Sequence, residues 1–197
     1  MRFHAFLIVM GAALISADAM AQSATKSGAH SAEIWLSNDT LQLRYITGGE
    51  RVGVSNSRAS VGFFLSEDRD IVLDGELLFP ADLDLGRLKL LFGPRAYVAL
   101  LDTENDDVLS LAVGAELRFD LDAKRDLAIV GNAFYAPDIL TFGSADNLTD
   151  LSARAEMRLA TQLTGFAGMR WFEFDLTDGG GTSTLQEEVF IGVGWKF

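Results

Sequence analysis

The sequence predicts an all-β fold, a transmembrane antiparallel up-and-down β-barrel of 8–10 strands, and three observations carry that expectation. Apolar residues recur with period two through most of the chain, so each segment has one apolar and one polar face. The polar faces carry long charges of both signs in balance, as a closed interior requires. The chain also ends on a strand whose apolar face carries aromatic rings, Trp195 and Phe197.

Taken in order, residues 1–21 read as a secretory signal peptide, with Arg2, an apolar run from Phe3 to Ile15, and small residues leading to Ala21. That run is too short to cross a bilayer as a helix, which leaves an uncleaved anchor as the weaker alternative. Residues 22–31 are small and polar and are expected to be flexible, with the barrel domain spanning 32–197. A short strand at Glu33–Ser37 and a second at Leu41–Ile46 come first, followed by Ala59–Ser66 and Ile71–Phe79. Leu91–Leu101 follows; Pro94 cannot donate a ladder hydrogen bond, so it is placed near a strand end.

The clearest alternation is Leu109, Leu111, Val113, Ala115, Leu117 and Phe119 against Ser110, Ala112, Gly114, Glu116 and Arg118. Leu127–Tyr135 precedes Leu151–Leu159, where Ser152, Arg154, Glu156 and Arg158 share the polar face. In Gln162–Phe174 the positions of Arg170 and Glu173 break parity, and a β-bulge near Trp171 would restore it. The last strand sets Val189, Ile191, Val193, Trp195 and Phe197 against Glu188, Phe190, Gly192, Gly194 and Lys196. Short links near Asp122–Arg125 and Ala160–Thr161 interleave with longer ones at Ala136–Asn147 and Leu176–Gln186, as expected when one rim carries turns and the other carries loops.

Period two alone does not say which face is inside. The polar faces supply Arg44, Arg95, Arg118, Arg154, Arg158 and Lys196 against Asp74, Glu76, Glu116, Asp150, Glu156 and Glu188, a neutral set suited to pairing in a lumen. The apolar faces then meet lipid. Gly192, Trp195 and Phe197 resemble the terminal signal by which bacterial outer-membrane barrels are recognised for insertion, with Phe190 standing where that signal usually has a polar residue.

The chain resembles the YfaZ family of small Gram-negative outer-membrane proteins. The resemblance runs from Ala32–Thr40 to the last strand, is most specific at Tyr135–Leu140 with Phe142 and Gly143, and is weaker at Gly168-Met169-Arg170. It implies a barrel in the outer membrane and no established activity.

Composition narrows the chemistry. The 197 residues contain no cysteine, so disulfides, thiol catalysis and cysteine-ligated metals are excluded. Sixteen basic against 28 acidic residues give a net charge of −12, which opposes nucleic acid. The two histidines, His4 and His30, precede the expected barrel, so histidine-based catalysis has no residue there. Carboxylate pairs such as Asp74 with Glu76 or Asp150 with Glu156 admit acid–base work, but pairing with luminal arginines is the simpler reading. The acidic loops Glu67, Asp68, Asp70 and Asp102, Glu104, Asp106, Asp107 suit either a solvated rim or divalent cations, and have no EF-hand spacing. Tyr135, Pro137 and Asp138 open the longest loop and form a candidate loop site, as ligand contacts or as a packed fold over the rim. Gly179-Gly180-Gly181 reads as a surface loop, since no helix follows it to bind phosphate.

The expectation is therefore a non-enzymatic envelope barrel with no cofactor and no bound metal. Its partners would be outer-membrane lipid and lipopolysaccharide, with the barrel-assembly machinery during insertion and a ligand left open. A narrow porin-like channel is the alternative.

Overall fold

The computed structural model describes residues 30–81, 86–101, 106–124, 126–176 and 181–197. The signal-peptide reading and most of residues 22–31 lie outside them, as do Asp102, Glu104, Gly179 and Gly180. Its strands are β1 (Ser31–Leu36), β2 (Thr40–Gly48), β3 (Arg58–Ser66), β4 (Ile71–Pro80), β5 (Leu88–Leu101), β6 (Asp106–Asp120), β7 (Leu127–Ala136), β8 (Thr141–Gly143), β9 (Ala145–Arg158), β10 (Leu163–Leu176) and β11 (Thr182–Lys196). Every pairing is antiparallel between neighbours, β5 pairs β6, and β1 pairs β11, so ten strands close a barrel. The short β8 pairs β6 above the end of β7 and continues its line.

Closure fixes the interior. Following ladder partners from Asp120 on β6 through Ala128, Glu156, Phe166, Gly192, Trp35, Gln42, Phe64, Val72 and Ala99 returns to β6 at Val108, twelve residues away. Ten strands with that stagger tilt by roughly 40° and form a backbone cylinder of roughly 10 Å radius, whose interior side chains can fill. The apolar faces point outward: Leu109, Leu111, Val113, Leu117 and Phe119 are between 42% and 60% exposed, and Val189, Ile191, Val193, Trp195 and Phe197 also lie open. An outward apolar wall around an interior that carries the charged side chains is the pattern of a membrane-spanning barrel.

Four expectations need correction. His30 and Ser31, expected within a flexible segment, are held in the wall: Ser31 pairs with Lys196 and Ile46, and His30 exchanges backbone hydrogen bonds with Phe197. His30 Nδ1 also lies 2.9 Å from the Tyr45 hydroxyl and 3.1 Å from Thr47 Oγ1, so this histidine packs at the seam where the first and last strands meet. Pro94 sits within β5, not at its end; the β4–β5 ladder is interrupted between Glu76↔Arg95 and Phe79↔Phe92, so its missing N–H falls in a gap. The bulge lies on β11, where Leu185 is the extra residue opposite Phe172 and Glu173 and both Leu185 and Gln186 point inward. β10 keeps parity, with Arg170 inside and Glu173 outside near the rim.

The link lengths are the fourth correction. On the rim with the chain ends, the turns at 121–126 and 159–162 are short, but the links at 49–57 and 81–87 are longer. On the far rim, 37–39 and 67–70 are tight. The alternation holds in the second half of the barrel and reverses in the first. In the 121–126 turn, Asp122 Oδ1 accepts from the backbone N–H of Asp126 and Leu127 at 2.8 and 2.9 Å. Those donors, Leu127 foremost, hold its carboxyl below the usual range.

Candidate functional site

The lumen has two storeys. Toward the far rim, Phe64, Val72, Leu148, Phe172 and Phe174 form an apolar plug with Val108 and Leu185. They come together because inward positions near the far ends of β3, β4, β6, β9, β10 and β11 are apolar, and tilted strands bring those ends to one level. Below the plug, charged side chains share the inward positions with a few apolar ones such as Leu78 and Phe190.

Two ion-pair networks fill that lower space. In the larger, Arg170 clamps Asp150 with two parallel hydrogen bonds, Nε to Oδ1 at 2.8 Å and Nη2 to Oδ2 at 2.9 Å, and donates Nη1 to Gln42 Oε1 at 3.0 Å. Asp150 Oδ2 also accepts from Arg95 Nη1 at 3.0 Å and the Tyr97 hydroxyl at 2.9 Å. Arg95 Nε reaches Glu76 at 2.9 Å, Arg44 reaches Asp74 at 3.0 Å, and Arg58 bridges Glu76 and Glu116. Arg44, Arg58, Arg95 and Arg170 are thus matched by Asp74, Glu76, Glu116 and Asp150.

The smaller network lies nearer the chain ends. Arg154 forks onto Glu33 at 2.9 and 3.1 Å and onto Glu156 at 2.7 Å; Arg118 pairs with Glu156 and Asp120; and Lys89 reaches Asp120 at 3.8 Å. Three cations again meet three carboxylates.

Aromatic rings back these guanidinium groups. Arg154 lies 4.8 Å from the Trp35 ring centroid and 4.6 Å from that of Phe166, Arg95 lies 3.9 Å from Phe134, and Arg170 lies 4.3 Å from Phe172. A planar cation can stack on a ring and still donate at its edges, which lets it be buried without losing partners. Gly192 belongs to the same packing: a Cβ there would overlap the Phe166 ring, which closes with Trp35 and Phe190 into one cluster. Trp195 and Phe197 lie outside, on the lipid-facing wall.

Of the residues expected in the luminal set, Arg44, Asp74, Glu76, Arg95, Glu116, Arg118, Asp150, Arg154 and Glu156 meet in these networks. Arg158 and Lys196 do not. Both stand at the rim, where the strand end leaves the lumen; Arg158 pairs there with Asp126 at 3.1 Å, and Lys196 is exposed. Glu188 faces inward beside Arg170 but forms no ion pair among the described residues, and its Oε2 is shielded without a hydrogen-bond partner there. Sequence reasoning missed Glu33, Gln42, Arg58, Tyr97, Asp120 and Arg170. Parity carried outward from Trp35 and Ser60 would have reached Glu33 and Arg58, and parity with Phe166 and Phe172 would have placed Arg170 inside.

The loop candidates divide between two surfaces. Tyr135 points outward at 51% exposure, while Pro137 precedes a 3₁₀ turn at Asp138–Leu140 whose last N–H returns to the Pro137 carbonyl at 2.8 Å. Thr141 Oγ1 closes the same turn onto Pro137 O at 3.1 Å. Asp70, in the 67–70 link, is buried against the Ser66 hydroxyl at 3.0 Å. Among the described residues, no group of three or more histidines, cysteines or carboxylates could hold a metal.

The family model described as YfaZ precursor matches residues 8–197. No curated protein matches the chain. Among solved structures, the chain is similar to the outer membrane channel DcaP of Acinetobacter baumannii, at 9% identity and a TM-score of 0.40, covering 84% of this chain and 54% of that one. It is also similar to the NanC porin, at 11% identity and a TM-score of 0.41, covering 87% of this chain and 100% of that one. This chain therefore spans about half the length of the DcaP channel.

Proposed function

The chain belongs to the YfaZ precursor family, and from that premise we propose that it is an integral outer-membrane barrel with a non-enzymatic role, structural or exercised through its loops. The observation that carries this reading is the filled lumen. Arg95, Asp150 and Arg170 are each 3% exposed or less and are committed to one another, and a layer of aromatic and aliphatic side chains covers them. Charges held this way support the wall, and moving them to pass a solute would cost several kcal/mol.

The outward positions of Trp195 and Phe197, with Gly192 on the inner wall, suit recognition of the last strand by barrel-assembly machinery before closure. The rigid turn behind Pro137 presents Asp138 and Ile139 to solvent, a platform for lipopolysaccharide or another surface ligand.

The test is single-channel recording on the refolded mature protein in a planar bilayer. Silence is the expected result. Discrete conductance steps would overturn the filled-lumen reading and put a narrow porin-like channel in its place.

A further inference from the structure

We propose that a groove on the outer wall, beside the link between β2 and β3, is a binding site for one glycerophospholipid, with its acyl chain lying over Gly75 and its phosphate at Arg51. The groove holds about 550 Å³. Its long axis is a single row of ladder partners crossing five strands: Tyr45, Val61, Gly75, Ala96 and Leu111. Four spacings of about 4.8 Å make that row roughly 19 Å long, the length of an extended acyl chain. The floor is low because Gly75 has no side chain and nothing stands where its Cβ would be. Beside it the β4–β5 ladder is interrupted at Pro94.

The end nearer the β2–β3 link is polar and built. Gly49 N–H donates to Ser57 O at 2.9 Å, Val54 N–H to Gly49 O at 2.9 Å and the Ser57 hydroxyl to Val54 O at 2.8 Å, while Gly53 takes a left-handed φ of 81°. This bonding folds the 49–57 link back along the wall and sets Arg51 and Val52 at the groove, next to Thr47. Every other described arginine has a hydrogen-bond or ion-pair partner; Arg51 has none among the described residues. Glu76 reaches the floor, but its carboxylate is committed to Arg95 and Arg58. An apolar row ending at one unmatched cation complements a long apolar chain carrying an anion. In a bilayer that molecule is a phospholipid.

The experiment uses the mature barrel refolded in dodecyl maltoside, offered dioleoyl phosphatidylglycerol or the phosphate-free dioleoylglycerol, with retained lipid counted by native mass spectrometry. One phosphatidylglycerol per barrel is expected. Arg51→Gln, on an exposed link, should lower its retention about tenfold, the loss of one charge-assisted contact. Gly75→Leu should abolish retention by filling the row, while Ala155→Leu on another part of the outer wall should leave it unchanged. Heat-modifiable gel migration checks that each variant is folded. Equal retention of dioleoylglycerol, retention unaffected by Arg51→Gln, or no retained lipid would each overturn the proposal.

Discussion

The two storeys of the lumen are sealed by opposite means, the upper one more completely buried than the lower. The upper one closes by apolar contact among Phe64, Leu148, Phe172 and Phe174, each 1% exposed or less. Such contact is non-directional and tolerates small shifts. The lower one closes by directed pairs between residues far apart in sequence, Glu33 with Arg154 and Gln42 with Arg170. A slip of β1 by one residue would turn Glu33 to the lipid face and leave Arg154 without its fork. The upper storey therefore supplies closure, and the lower storey also specifies which register the barrel closes in.

That contrast predicts an order of mutational cost. The largest effect should come from Asp150→Ala, which leaves Arg95 and Arg170 buried without their shared carboxylate and should cost about 4 kcal/mol. Urea unfolding in detergent micelles, followed by tryptophan fluorescence, would read it as a lowered midpoint.

Leu148→Ala in the upper storey removes apolar contacts and leaves a cavity but strands no charge, so a loss of about 3 kcal/mol is expected in the same titration. If Leu148→Ala proved the more damaging of the two, register would be set by apolar fit and the comparison would be wrong.

The smallest effect belongs to the rim. Arg158 and Asp126 are 47% and 42% exposed, so Arg158→Ala should change stability by roughly 0.5 kcal/mol or less. A shift comparable with that of Asp150→Ala would show that the lower network extends to the rim after all.

Legibility in the sequence followed the range of the interaction. Eight strand segments, and an amino-terminal pair that could raise them to ten, are legible from period two, because side-chain direction along a strand is a property of the local backbone. Which face met lipid could be read from the balance of charge on the other. The inward bulge residue Leu185 and the reversal of link lengths in the first half had no local signal, since both depend on the register of one strand against another. Arg158 and Lys196 have the same parity as Arg154 and Gly192, yet strand tilt carries them out of the lumen.

By itself the sequence determined the all-β class, the lipid-facing side of each segment, and most of the side chains that would have to be neutralised inside, because these follow from residue type and period. The tertiary structure alone decided which arginine meets which carboxylate, that an apolar plug covers the charged networks, and that Arg51 stands unmatched among the described residues beside a groove. Those outcomes depend on the closure of ten strands with a stagger of twelve residues, and that stagger is a sum over every pairing in the wall, set by no single segment.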